Sequence, residues 1–212
     1  MTLGVKKNDI VWTSAISFVA SANAAVYCSA DIDFLDISLE DYNIDIKSLE
    51  KKLIVAKRKN KLPKVIIVVH FAGNPCQMKE IYLLKKRYKF KIIEDASHAL
   101  GARYINKRVG NCEFSDMCVF SFHPVKSITT AEGGIVTTNN KKFFNDLKLY
   151  REHGINRNFI NKKVRPKYYE QIKLGYNYRM NEIEAAIGIE QLKKLDSFIS
   201  KRVEIYNSYK SK

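Results

Sequence analysis

Four side chains that could do chemistry follow two apolar segments of the sequence. Asp95 comes directly after the run KIIE, and His98 follows three positions later. Ser121 lies in the run MCVFSF, and Lys126 follows it after a short turn. A lysine that forms a Schiff base, a carboxylate that holds a pyridinium proton and a hydroxyl that binds phosphate are the groups that pyridoxal phosphate (PLP) chemistry requires. Taken singly, each is better explained structurally, as a helix cap, a turn hydroxyl or one of many lysines.

Other catalytic motifs are absent from the sequence. There is no GxxxxGK[ST] phosphate loop, no GxGxxG after a strand and no GxSxG nucleophile turn. The four histidines lack HExxH or HxxxH spacing, and the four cysteines form no zinc-ligand pattern. We therefore expect neither a dinucleotide site nor a bound metal, and the cysteines indicate a reduced cytoplasmic protein.

Short apolar segments alternate with longer amphipathic ones, which is typical of an α/β domain with a mostly parallel sheet. The predicted strands are Asp9 to Ser14, Asp31 to Ser38, Lys64 to His70, Lys91 to Glu94, Met117 to Phe122 and Gly134 to Thr138. The predicted helices are Phe18 to Cys28, Asp45 to Arg58, Gln77 to Tyr88, Lys141 to His153 and, as one long helix or a broken pair, Asn181 to Tyr209. The stretch from Asn156 to Gln171 shows no periodicity and is predicted to be a loop. Ligands of such sheets bind outside the carboxyl ends of the strands, where the four side chains fall.

The composition describes one ordinary domain, or at most two small ones. The 212 residues are 46% hydrophobic and 28% charged, and the formal net charge is +15. This charge favours an anionic partner such as nucleic acid, a phosphorylated small molecule or a membrane surface. The uncharged run Val11 to Ala30 contains too many polar side chains to be stable in hydrocarbon, so we predict a buried strand and a helix there and no membrane span.

Four longer motifs closely resemble one enzyme family. They are EDASHALGA (94 to 102), FSFHPVKSITTAEGGIVTTN (120 to 139), REHGI (151 to 155) and LGYNYRMNEIEAAIGIEQL (174 to 192). The resemblance is to the fold-type I, PLP-dependent sugar aminotransferases of the DegT/StrS type. The stretches HFAGNPCQM and YYEQIKLGYNYRMNEIEAAIG are most similar to transaminases of pseudaminic acid biosynthesis. The resemblance to the family covers essentially the whole chain and implies a three-layer α/β/α large domain.

The resemblance also implies an activity and a cofactor site. Enzymes of this kind transfer an amino group from L-glutamate to C4 of a UDP-linked 4-keto-6-deoxy-N-acetylhexosamine. Lys126 matches the Schiff-base lysine that also shuttles protons, and Asp95 matches the partner of the pyridine nitrogen. His98 matches the position beside the cofactor's phenolic oxygen, and Ser121 matches a phosphate contact. Lys126 also argues against the dehydratase branch of the family, in which a histidine stands at this position.

Two further positions carry expectations from the same resemblance. Phe18, in TSAISFVASAN, matches the aromatic residue that stacks on the cofactor ring, whereas from the residues alone it could be an ordinary core phenylalanine. Asn177 matches a residue that reaches the phosphate of the neighbouring subunit's cofactor. The resemblance therefore implies a homodimer with shared active sites.

The chain departs from the family pattern at both ends. Family members begin with a segment whose Gly-Thr/Ser-Ala motif binds the cofactor phosphate, and they continue into a smaller C-terminal domain. We therefore expect 1–212 to be a partial large domain, with 181–212 a long helix leading toward an absent small domain. A truncated, catalytically inactive fragment is one alternative, and a basic nucleic-acid-binding module is a remote one. We also expect the basic loop Arg157 to Lys167 either to attract the UDP diphosphate or to be a solvated loop.

Overall fold

A six-stranded sheet forms the centre of the computed structural model, which describes residues 1–156 and 169–211. The described strands are β1 (Ile10–Ser14), β2 (Asp31–Leu35), β3 (Val65–Val69), β4 (Lys91–Asp95), β5 (Arg103–Tyr104), β6 (Lys107–Arg108), β7 (Met117–Ser121), β8 (Gly134–Thr137), β9 (Ile155–Asn156) and β10 (Glu170–Gln171). The sheet order is β2-β1-β3-β4-β7-β8. Its first five strands are parallel, and β8 pairs antiparallel with β7.

Helices cover both faces of this sheet. They are α1 (Val19–Val26), α2 (Ile46–Arg58), α3 (Met78–Tyr88), α4 (Lys141–Arg151), α5 (Glu182–Lys193) and α6 (Leu195–Lys210). α2 begins where the Asp45 side chain accepts from the Ser48 N–H, and α5 begins with a capping box between Asn181 and Glu184. The chain order and the parallel strands confirm the predicted α/β class.

The larger core lies on the face covered by α2 and α3. Leu49 and Leu53 of α2 are fully buried, and they belong to one apolar cluster with Ile81 of α3 and with Ile66 and Ile92 of the sheet. These helical positions recur every three or four residues, so one stripe of each helix faces the strands. Burial of this stripe against the sheet fixes the C-terminal ends of β3 and β4, where the candidate site lies.

The opposite face carries α1 and α4. Val11, Val65 and Ile67 of the sheet pack with Ala25 of α1. A cavity of about 200 Å³ remains on this face, with an apolar lining that includes Leu147 of α4. None of the six predicted site residues lines this cavity. The small side chains of α1 let it approach the sheet closely. The uncharged run therefore packs inside the domain as a strand followed by a helix.

The predicted elements are present, with ends displaced by at most three residues, but two details differ. The C-terminal segment is the broken pair of the two predicted alternatives, and it divides at Lys194. The predicted loop has a strand at each end, because β9 and β10 pair antiparallel. The β5–β6 hairpin was not predicted, and its turn places Ile105 and Asn106 at positive φ. Two-residue strands are too short to show a period of two, and only their pairing reveals them.

Two sequence expectations concern charge and membranes. The basic loop from Arg157 to Lys167 falls outside the described residues, so its expected role stays a prediction. Within the described ranges, no helix combines the length and the apolar character needed to cross a membrane. The uncharged run Val11 to Ala30 instead forms β1, α1 and the turn that follows.

Candidate active site

Asp95 and Ser121 lie on the same face of the sheet at its carboxyl edge. β4 and β7 are parallel neighbours in which Asp95 is opposite Val119. Successive strand residues alternate between faces, so Ile93 and Asp95 share one face, and Val119 and Ser121 share one. Ile93 and Val119 both line the cavity under α1 and α4. The register therefore directs the predicted carboxylate and the predicted hydroxyl toward the same side of the sheet.

His98 and Lys126 meet directly at this edge. Lys126 Nζ lies 2.8 Å from His98 Nε2. Burial lowers the pKa of His98 below its ordinary value, the Lys126 charge lowers it further, and Asp95 acts in the opposite direction. A neutral imidazole at this distance can accept a hydrogen bond from the Lys126 ammonium through Nε2.

Each member of this pair is carried by an anchored turn. The Ala96 N–H donates to the Val119 carbonyl at 2.9 Å, and Ala96 and Ala99 are buried, so His98 between them stays at the surface. The Lys126 N–H donates to the His123 carbonyl at 3.0 Å. These anchors bring together two residues that are 28 positions apart in the chain.

The loop that carries Lys126 joins β7 to β8 and is closed by bonds across its base. The Phe122 N–H donates to the Gly133 carbonyl at 2.8 Å, and the Thr130 N–H donates to the Phe122 carbonyl at 3.0 Å. Ile128 and Thr130 of this loop are themselves buried. The lysine therefore projects from a loop whose base is tied to the sheet rather than from a free surface segment.

The Asp95 carboxylate is held by two serines. Ser21 Oγ, in the first turn of α1, donates to Asp95 Oδ2 at 2.6 Å. Ser97 donates to Asp95 Oδ1 from its backbone N–H at 3.1 Å and from its Oγ at 2.6 Å. Neither serine was predicted from the sequence. Ser21 is one of two polar residues, with Asn23, in the small-residue helix α1, and this is the signal that could have indicated it.

Phe18 is an exposed residue at the start of α1, not a core phenylalanine. Its exposed fraction is 75%, so it does not belong to the core formed by the described residues. It is the residue before the first turn of α1 and lies three positions from Ser21, which contacts Asp95. The backbone of Phe18 is extended, so its ring lies at the N-terminal end of α1, one turn before Ser21.

The side chains of Ser121 and Asn177 have different surroundings. Ser121 Oγ accepts from the His123 N–H at 3.3 Å, and its own hydroxyl proton can donate to an anion. Asn177 lies on an exposed segment bridged to Glu152, and among the described residues its side chain makes no hydrogen bond to the other predicted site residues. The structure thus brings His98 and Lys126 into contact and places Asp95 and Ser121 on one face of the same sheet edge, with Phe18 at the start of the helix that contacts Asp95.

Gly73 supports the turn that carries His98. It follows β3 with φ at +86°, and a Cβ added there would lie 2.6 Å from the His98 carbonyl oxygen. A side chain would therefore meet backbone, which cannot move as easily as a flexible side chain. Only glycine allows this close approach without strain.

A buried polar network lies beneath the site on the α2–α3 face. His70 Nε2 is 2.9 Å from Glu94 Oε2, and the other Glu94 oxygen accepts from Ser115 Oγ. The Cys76 N–H donates to His70 Nδ1, so Nε2 of the neutral ring carries the proton that Glu94 accepts. The His70 N–H also donates to the Asp95 carbonyl at 3.1 Å. The network therefore holds the backbone on which Asp95 sits.

Acidic, histidine and cysteine side chains do not assemble into a metal-binding group of three or more within the part of the chain that the structure describes.

The model of the DegT/DnrJ/EryC1/StrS aminotransferase family matches residues 1–212, the whole chain. The chain belongs to this family. A Campylobacter jejuni relative named UDP-4-amino-4,6-dideoxy-N-acetyl-beta-L-altrosamine transaminase is 46% identical over 208 residues, which are 98% of this chain and 52% of that protein. The chain spans about half the length of the curated relatives it matches.

Solved structures of the same family have the same fold. Helicobacter pylori PseC, described as an aminotransferase involved in the biosynthesis of pseudoaminic acid, matches with a TM-score of 0.78 and 38% identity, over 90% of this chain and 47% of that one. The PMP form of the Streptococcus pneumoniae putative sugar aminotransferase Spr1654 matches with a TM-score of 0.85 and 27% identity, over 99% of this chain and 56% of that one. The family is PLP-dependent.

The side chains at the sheet edge fit the cofactor of this family. Lys126 supplies a primary amine, Asp95 a carboxylate held in one orientation, and Ser121 a hydroxyl on the same side of the sheet. Phe18 adds an exposed ring on the helix that contacts Asp95. Amine, carboxylate, hydroxyl and aromatic face are the groups that hold a phosphorylated pyridine aldehyde.

Proposed function

We propose that the protein is a PLP-dependent sugar aminotransferase. In this proposal it transfers an amino group from L-glutamate to C4 of a UDP-linked 4-keto-6-deoxy-N-acetylhexosamine, in the biosynthesis of pseudaminic acid or a similar surface sugar. The contact between Lys126 Nζ and His98 Nε2, at the edge that carries Asp95, is the observation that supports it most directly. The names of the relatives support the substrate class. The 212 residues would form part of the large, PLP-binding domain.

Lys126 and His98 would do the proton chemistry. When bound, PLP supplies an aldehyde that accepts the amino group and a ring that withdraws electrons from the reacting carbon. Lys126 Nζ would hold the cofactor and then move a proton between the cofactor carbon and the sugar carbon. His98 Nε2 would orient Nζ by accepting a hydrogen bond from it, because partial burial and the Lys126 charge lower the pKa of the imidazole and favour its neutral form.

The remaining residues would bind and orient. Asp95 would keep a proton on the pyridine nitrogen, since a carboxylate stabilises the positive charge there. Ser121 would donate to the phosphate, and the exposed face of Phe18 would stack on the ring. His98 would also face the phenolic oxygen of the cofactor.

A homodimer with shared sites is part of the proposal. The helix α5 exposes apolar side chains on several sides, including Ile183, Ile189 and Leu192, each more than half exposed. Exposed apolar side chains on more than one side of a helix mark a surface that a partner can cover. A second subunit on this surface would remove that apolar area from water, and Asn177 would then reach the partner's cofactor phosphate.

The first test is cofactor attachment. The purified chain is mixed with PLP, reduced with borohydride and digested, and the modified peptide is identified by mass spectrometry. We expect the phosphopyridoxyl group on Lys126, no modification at that site in Lys126→Ala, and normal labelling in Lys61→Ala, which removes an exposed lysine elsewhere. Labelling spread over surface lysines would contradict the proposal.

The second test is turnover. The protein is incubated with L-glutamate and the UDP-4-keto sugar, and the 2-oxoglutarate formed is measured. Formation of 2-oxoglutarate in excess of the protein, dependent on both Lys126 and the sugar, supports the aminotransferase. Specific labelling of Lys126 without turnover favours the inactive fragment, and tight salt-dependent binding to random DNA without labelling favours the nucleic-acid module.

A further inference from the structure

Ser21 is a buried serine whose hydroxyl bonds to a residue distant in the chain. It lies in the first turn of α1 with an exposed fraction of 6%, and its Oγ donates to Asp95 Oδ2 across 74 sequence positions. Serines in helices commonly bond to the backbone of their own turn. Here the bond instead joins a helix on one side of the sheet to the end of β4, so it fixes the position of one relative to the other.

The Ser21–Asp95 bond determines which acceptor position of the Asp95 carboxylate remains free. An ionised carboxylate has about four acceptor positions, two on each oxygen. The two donors of Ser97 occupy Oδ1, and Ser21 occupies one position of Oδ2. The position that remains is therefore on Oδ2, the oxygen that Ser21 holds. The direction in which Asp95 can accept an outside proton depends on Ser21.

Phe18 is the N-cap residue of α1, three positions before Ser21, and its ring is exposed. The Ser21–Asp95 bond therefore fixes the start of α1, where this ring lies, relative to the end of β4.

We propose that Ser21 is a positioning residue of this site, whose hydroxyl holds Asp95 Oδ2 so that its remaining acceptor position meets the protonated ring nitrogen of PLP. This inference rests on the proposed function. It does not make Ser21 a catalytic residue, because Ser21 would act on the cofactor only through Asp95. Loss of the Ser21 hydroxyl should weaken the binding only of ligands that carry the ring nitrogen.

The test compares two ligands on matched variants. Dissociation constants are measured for PLP and for 1-deaza-PLP, which replaces the ring nitrogen by C–H and cannot donate to Asp95. The variants are Ser21→Thr and Ser21→Val, which have the same shape with and without a hydroxyl, together with Ser21→Ala. Ser17→Ala is the control, because within the described part of the chain its hydroxyl bonds to the Phe18 carbonyl rather than to Asp95.

We expect the preference for PLP over 1-deaza-PLP to fall about tenfold in Ser21→Val and Ser21→Ala, the loss of one charge-assisted hydrogen bond. Ser21→Thr and Ser17→Ala should keep the wild-type preference. The Thr and Val pair keeps the test valid if Ser21→Ala does not fold.

Two results would overturn the inference, and they differ from each other. If Ser21→Val retains the preference of Ser21→Thr, or loses affinity for both ligands equally, the hydroxyl does not act through Asp95 and only the Ser21 proposal fails. If the wild-type protein does not prefer PLP to 1-deaza-PLP, Asp95 does not meet a ring nitrogen, and the proposed cofactor site fails together with the inference.

Discussion

The close approach of Gly73 to His98 allows a quantitative prediction from backbone geometry. Gly73→Ala places a side chain at φ +86°, and a left-handed conformation costs an L-residue about 1–2 kcal/mol. The new Cβ would also lie 2.6 Å from the His98 carbonyl oxygen, where ordinary contacts begin at 3.4 Å. Displacement of one backbone by the other adds a further cost of about 1–2 kcal/mol. We expect a total loss of about 2–4 kcal/mol in the free energy of unfolding.

Gly4→Ala is the matched control for this variant. Gly4 also has positive φ, at +70°, but its added Cβ would meet only Lys64 Nζ at 4.0 Å. Both variants share the strain of the left-handed backbone and the change in unfolded-state entropy, so their difference isolates the contact with His98. That difference should be about 1–2 kcal/mol, measured by urea unfolding followed by circular dichroism. Equal destabilisation of the two variants would refute the argument that the Gly73 approach holds the His98 turn.

Two further predictions concern charge and packing. The pKa of His98 should lie below its ordinary value of 6.5 and rise in Lys126→Met without full restoration, because burial is the larger cause and remains. Since the folded state disfavours the charged ring, the contribution of His98 to stability should be present above pH 6.5 and be lost as the pH falls through the lowered pKa. NMR titration of the His98 ring protons measures the pKa in the wild type and in Lys126→Met, and urea unfolding at several pH values measures the change in stability. A pKa at or above 6.5 in the wild type would contradict both predictions. Leu53→Ala should cost about 2–5 kcal/mol in urea unfolding because Leu53 is fully buried, whereas the same change at exposed Leu83 should cost less than about 0.5 kcal/mol.

The strands and helices of the sheet could be predicted from the sequence because their signals are local. The run from Val65 to Val69 is apolar throughout, as a strand buried on both faces must be, and α2 shows an apolar stripe at helical spacing. Lys126, His98 and Asp95 were found because each follows such a run within a motif that resembles the family. The short pairs β5–β6 and β9–β10 were not found, since two residues carry no periodicity.

Only the tertiary structure decided how the site residues meet. The Ser21–Asp95 bond spans 74 positions and the Lys126–His98 contact spans 28, and each depends on how a helix or loop packs on the sheet. No local pattern encodes the rotation of α1 or the approach of Gly73 to the His98 carbonyl. The sequence determined which chemical groups lie at the carboxyl edge, because strand length and alternation are properties of neighbouring residues. The fold determined which of those groups touch, because contact depends on the packing of elements distant in the chain.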